Sequence, residues 1–181
     1  MNKPVTTLNI LTLGRFSLSM NGKTVTTDWP DEKIKNFFCS LLSPLDIYIT
    51  WDRICRSMLG LPETRTSRSQ LEEGFIRPLN SFLLRELGFT PLIAGLDSIR
   101  IDRLRIHLDA LEFHSSAVEG LRLLAIGNNS AALEKLNIAK SLHVGTYLPG
   151  MSGKIIESTR NDLESVYRTA VMEGVRHAHA A

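Results

Sequence analysis

Arg68 and Arg77 stand on a segment, residues 66–83 (TSRSQLEEGFIRPLNSFL), in which Leu71, Phe75, Leu79, Phe82 and Leu83 recur at helical spacing. With that stripe turned inward, Arg68, Ser69, Glu72, Ile76 and Arg77 point outward. The chemistry of such a face is recognition, not bond-making. An arginine fork holds a phosphate or the paired acceptors of a guanine, and a glutamate accepts from a cytosine amine. Arg100, followed by Arg103 and Arg105, adds cations suited to phosphate. Against this, Glu72 and Glu73 place two anions on the same stretch. An anion where a cation is needed loses one neutralised phosphate, about one unit of salt slope. The same side chains also read as an ordinary solvated helix face.

No pattern for covalent chemistry accompanies them. His107, His114, His143, His177 and His179 fall on separate segments, none with a cysteine or carboxylate at metal-ligand spacing. Glycine-rich phosphate loops and nucleophile elbows are absent. The expectation is a non-enzyme with no catalytic residues, no metal and no cofactor. Cys39 and Cys55 sit in apolar helical contexts and read as buried free thiols, which suits a reducing compartment. The N-terminus has no signal-peptide core, and no run approaches the ~20 apolar residues of a membrane span. A soluble cytoplasmic protein with no membrane partner is expected. Of 181 residues, 21 are Lys or Arg and 19 Asp or Glu, a net charge of +2. Dedicated nucleic-acid binders usually carry a clearer basic excess, so any basic surface here must be local.

The elements that would position these residues follow from pattern. Residues 8–27 read as β, with Asn21-Gly22 as a hairpin turn. Asp31-Glu32 opens a helix carrying Ile34, Phe37, Phe38, Leu41 and Leu42. Thr50 is the expected N-cap of the next helix, closed by Gly60. A third helix spans residues 65–87, with Gly88 as its cap and a kink expected near Gly74 and Pro78. Residues 90–101 read as two short strands around a turn, a hairpin directly after a helix. From Ile106 the pattern becomes all-α. Asp109 and Glu112 form a capping-box-like start, and Ala110, Ala117, Val118, Leu121, Leu124 and Ala125 share one face. Ser130 is the expected cap of the following helix, and a last helix covers roughly residues 155–177.

Four stretches together resemble bacterial regulators that join an OmpR-type winged helix to a bacterial transcriptional activator domain, as in the antibiotic regulatory proteins of actinomycetes. They are LTLGRFSLSMNGKTV (residues 11–25); Trp29, Lys33, Phe37-Phe38 and Leu41-Leu42; IHLDALE (residues 106–112); and GTYLPG (residues 145–150). The resemblance implies an α+β chain: a winged helix-turn-helix over residues 1–105, with leading β-hairpin and C-terminal wing, then a tetratricopeptide-like all-α domain over residues 106–181. It implies a DNA-binding set of Arg68, Ser69, Glu72, Ile76, Arg77 and Arg100. Implied partners are duplex DNA, RNA polymerase or another regulatory protein, and a second copy on repeated half-sites. The chain departs from the family pattern in the third helix. Arg68, Leu71 and Arg77 match, but Glu72, Leu79 and Asn80 stand at basic positions and Pro78 at an expected leucine.

Two functions follow. One is a transcriptional regulator binding promoter DNA, with the helical domain making protein contacts. The other is a non-catalytic protein-interaction module whose winged helix has lost DNA binding.

Overall fold

The computed structural model describes residues 7–25 and 28–180, so Thr26 and Thr27 of the expected return strand lie outside the described residues, as does the His179 side chain. The fold is mixed α+β. In chain order the elements are β1 (Leu8–Leu11), β2 (Ser17–Met20), β3 (Lys23–Thr24), α1 (Glu32–Leu42), β4 (Tyr48–Thr50), α2 (Trp51–Leu59), α3 (Arg65–Leu71), α4 (Arg77–Leu87), β5 (Leu92–Ala94), β6 (Ser98–Ile101) and β7 (Ile106–Leu108), followed by α5 (Asp109–Ala125), α6 (Asn129–Leu142), α7 (Lys154–Ser165) and α8 (Glu173–Ala180). Two compact units divide the chain. One comprises Met1–Ile10, Ser17–His107 and Met151–Glu157; the other comprises Leu11–Phe16, Leu108–Gly150 and Ser158–Ala181. Neither unit is continuous in sequence, whereas the sequence reading drew one break between residues 105 and 106.

In the first unit β1, β2, β3 and β7 build a sheet of order β3-β2-β1-β7. Asn21 and Gly22 turn the β2–β3 hairpin at φ 52° and 75°, as an Asn-Gly pair does readily. Ile106–Leu108 is therefore a strand, where the sequence reading began the all-α region. A second sheet of order β4-β6-β5 is antiparallel, with Tyr48, Arg100 and Ile93 in one cross-strand row. Ile34, Phe37, Phe38 and Leu42 of α1 are buried, with Leu71, Leu79, Phe82 and Leu83 from the later helices. Cys39 and Cys55 are free and buried, and desolvation pushes the Cys39 thiol well up. The caps at Asp31, Thr50, Gly60 and Gly88 stand where the sequence placed them.

The expected kink takes a definite form. Residues Glu72–Ile76 make a π-helical turn between α3 and α4, with the Arg77 amide bonded to the Glu72 carbonyl. Pro78 explains it. In α register it would have to donate to the Gly74 carbonyl and would press its ring against it. The wider turn places Pro78 in the first turn of α4, where no intrahelical amide hydrogen is needed.

The second unit is organised around Asp109, 4% exposed at the start of α5. Its Oδ1 accepts from the Thr12 amide (2.8 Å) and hydroxyl (2.6 Å), and its Oδ2 from the amides of Thr12 (2.9 Å) and Leu13 (3.0 Å). The expected capping box is corrected. Leu108 holds the N-cap position without a side-chain bond, and the Asp109 carboxylate takes donors from residues 12–13 as well as from the Ala110 amide of its own helix at 2.8 Å. The loop at residues 145–150 lies against the same segment. Gly14 N donates to Thr146 O at 2.9 Å, Leu148 N donates to Thr12 O at 2.7 Å, and Arg160 donates to the carbonyls of Tyr147 and Leu148, both at 2.8 Å. A Cβ on Gly145 would sit 2.9 Å from the Gly14 Cα, so this backbone approach needs glycine.

α5 and α6 pack closely because Gly120 has no side chain; a Cβ there would meet Leu136 Cγ at 2.6 Å. Ala110, Phe113, Ala117, Gly120 and Leu123 form the buried face. Val118 and Leu121, expected on that face, are exposed, because the small residues rotate the helix toward its partner. Asn128, not Ser130, caps α6 through the Ala131 amide at 3.3 Å. A second π-helical stretch, Val166–Met172, joins α7 to α8.

Three outcomes test these assignments. Gly74 has open space at its Cβ position and no positive φ, so Gly74→Ala is expected to stabilise the chain by about 0.5–1 kcal/mol in urea unfolding; a loss of stability would contradict it. Asp109→Asn turns an amide hydrogen toward fixed donors and is expected to cost at least about 3 kcal/mol. A urea midpoint like the parent's would show that this network carries little. The third concerns Asp52. Bonds from the Arg56 side chain (2.8 Å) and the Glu63 amide (3.0 Å) hold its carboxyl below the usual 3.8. A depressed carboxyl contributes stability above its unfolded pKa and loses it as pH falls through the folded one. The difference in thermal stability between parent and Asp52→Asn is therefore expected at neutral pH and to close below pH 3.8; a pH-independent difference would refute this.

Candidate nucleic-acid interface

The outward face of α3 is set by how the helix begins. Thr64 Oγ1 accepts from the Ser67 amide at 3.0 Å, and Ser67 Oγ accepts from the Thr64 amide at 2.8 Å. This reciprocal box satisfies two amide donors and fixes Arg65 as the first helical residue. Ser67 Oγ lies 2.8 Å from the Pro62 carbonyl and donates to it. Asp52 Oδ1 holds the Glu63 amide, so the approach to the helix is also tied to α2.

From that start Arg65, Ser69, Gln70, Glu73 and Arg77 are exposed, while Arg68 and Glu72 are half-buried. Ile76 is 2% exposed, which corrects the expectation that it faces outward. The π turn supplies the reason. Buried positions run Leu71, Ile76 and Leu79, a first step of five residues where an α-helix would take three or four. Phe75, expected in the stripe, is half-buried with its ring 5.4 Å from that of Phe37. Among the described residues Arg65, Arg77 and Arg100 are exposed and form no ion pair.

One indole organises the cleft between α3 and the β5–β6 hairpin. Trp51, 3% exposed at the start of α2, donates from Nε1 to the Gly95 carbonyl at 3.1 Å. Its backbone amide donates to the Asp97 carbonyl at 3.2 Å. The Arg68 guanidinium lies over the Trp51 ring, 4.5 Å from the centroid, with Nη1 3.5 Å from Glu63 Oε1. Trp51, Glu63, Thr64, Arg65, Arg68, Ser69 and Glu72 line the cleft, together with Ala94 and Gly95 of the hairpin. Its formal charges, Arg65 and Arg68 against Glu63 and Glu72, balance. The site therefore combines a neutral cleft with free arginines along the exposed face.

The structure brings Arg68, Ser69 and Glu72 together at the cleft and leaves Arg77 further along the face. Arg100 is exposed on β6, in the row with Tyr48 and Ile93. Sequence reading passed over Arg65, Gln70, Glu63 and Trp51. The pattern Thr64-x-x-Ser67 was a usable signal for the helix start, but serine stands where such boxes favour Glu or Gln. Nothing in the sequence marks Trp51, whose partners are distant in the chain. Among the described residues no cluster of three or more His, Cys, Asp or Glu is placed to hold a metal ion, and no helix is long and apolar enough to cross a membrane.

No protein-family model matches the sequence, and no curated protein matches it. Among solved structures the chain is similar in fold to Mycobacterium tuberculosis EmbR, determined in complex with a low-affinity phosphopeptide. The TM-score is 0.59 at 17% identity, over 96% of this chain and 44% of that one. The chain thus spans less than half the length of that neighbour, and the likeness is one of fold.

Proposed function

We propose that this chain is a transcriptional regulator of the winged-helix type that binds duplex promoter DNA. In this reading α2 and α3 form the helix-turn-helix, α3 enters the major groove, and the β5–β6 hairpin is the wing. The observation that carries it is the exposed helix face on which Arg65, Ser69 and Gln70 of the capped α3 are followed by Arg77 at the start of α4, with Arg65 and Ser69 lining the cleft toward the hairpin. The fold likeness to EmbR and the resemblance to the actinomycete regulators support it. The α5–α6 pair, closely packed at Gly120, serves as a tetratricopeptide-like module for protein contacts, RNA polymerase or another regulator among them. A second copy would let the chain engage repeated half-sites. The work is non-catalytic and takes place in the cytoplasm.

A specific observation favours a second reading, a protein-interaction module. Glu63 lies 3.5 Å from Arg68, and Glu72 and Glu73 add negative charge along the same helix. On that reading the acidic part of α3 meets a basic protein surface.

The double variant Arg65→Ala/Arg77→Ala separates the two. If α3 faces DNA, fluorescence anisotropy against a duplex should show weaker binding and a salt slope smaller by about two units. Unchanged affinity and slope would remove α3 from the DNA surface.

A further inference from the structure

We propose that Arg68 reads a guanine in the major groove and that Trp51 is its positioning residue. The inference rests on the DNA-binding reading above and deepens it.

Surface arginines normally lose rotamer freedom when they bind. Arg68 has given up part of that freedom already, because its guanidinium is held over the Trp51 ring, with Cζ 4.5 Å from the centroid. The platform itself is fixed by two bonds to the hairpin turn, to Gly95 and Asp97. A guanidinium held over a ring turns only part of its surface to that ring, and the N–H groups directed away from it remain able to donate. Glu63 faces Nη1 at the long distance of 3.5 Å, and Nε and Nη2 have no partner among the described residues. The side chain is 37% exposed, in a cleft that opens beside Ser69.

A planar, oriented fork with free edge donors matches the adjacent O6 and N7 acceptors of guanine, whereas adenine and cytosine present amine donors that the fork cannot satisfy. Among the described residues no aromatic ring lies under Arg65, Arg77 or Arg100. Phosphate contact, which needs charge more than a fixed plane, is the role that suits them. The site thus divides its cations into one reader and several backbone anchors.

The test is selection of bound duplexes from a pool with randomised central positions, run on the full chain at about 50 mM salt. The parent is expected to enrich guanine at one position. Arg68→Lys keeps the charge but loses the fork, so that enrichment should fall roughly tenfold or more while the salt slope stays unchanged. Trp51→Leu should lose the preference as well, and Trp51→Phe, which retains a ring for stacking, should restore most of it. Arg68→Lys alters an exposed tip and remains informative if Trp51→Leu does not fold. Equal guanine enrichment by parent and Arg68→Lys, or duplex binding by the parent without guanine preference, overturns the inference and leaves DNA binding standing. A parent chain that retains no duplex overturns both.

Discussion

Pro78 has no amide hydrogen, and the candidate interface follows from that deficit. A proline at this position forbids a continuous α-helix from Arg65 to Leu87, and the chain answers with the π turn at Glu72–Ile76. The extra residue in that turn shifts everything after it. Ile76 goes to the core, and Arg77 opens α4 on the exposed side. The first turns of α3 remain ordinary helix, held by the Thr64–Ser67 box, and these turns carry Arg65, Arg68 and Ser69. The irregularity that Gly74 and Pro78 suggest in the sequence is confined to the stretch after Leu71. π turns recur at functional sites in helices, and here the turn separates a capped, cationic N-terminal part from a continuation that packs Leu79, Phe82, Leu83 and Leu87 into the core.

The second unit depends on a different constraint, a buried carboxylate. Asp109 gathers donors from Thr12 and Leu13, and the loop at residues 145–150 lies across the same segment with Gly14 against Gly145. Residues far apart in the chain are therefore held by main-chain polarity as much as by apolar burial. Unmatched donors in that place would each cost about 1–3 kcal/mol, which makes the arrangement specific as well as stable. Three of the four stretches that carry the family resemblance contribute to this network: residues 11–25, 106–112 and 145–150.

Local signals were well legible. The Asn21-Gly22 turn, the caps at Asp31, Thr50, Gly60 and Gly88, and the hairpin after α4 all rest on short-range geometry that residue type reveals. Errors arose where a distant partner decided. The outward orientation of Ile76 failed because a strict helical period cannot register a five-residue step. Val118 and Leu121 looked inward by hydrophobicity, but the close approach at Gly120 set the rotation of α5. Asp109 reads locally as a cap, and it does accept from the Ala110 amide, but its other partners, Thr12 and Leu13, lie almost a hundred residues earlier. Within the candidate site the sequence located Arg68, Arg77 and Arg100 but passed over Arg65. It missed the indole that orients one of them, since a Trp beside Asp52 at a helix start has the same local look whether it packs inertly or supports an arginine.

The distribution of charge is what a functional account has to satisfy. Net charge is close to zero and the cleft is balanced; of the exposed cations without an ion pair among the described residues, Arg65 and Arg77 lie along one helix face and Arg100 on one strand. Such a surface suits binding with modest electrostatic affinity in which a small number of oriented contacts supplies selectivity. The direct measurement is anisotropy titration of fragmented genomic duplex DNA at about 50 mM and 200 mM salt. Three free arginines, Arg65, Arg77 and Arg100, neutralising one phosphate each would weaken binding roughly fortyfold across that range. A loss of that order is the expected result. No binding at the lower salt, or binding indifferent to salt, would contradict a DNA-reading face on α3.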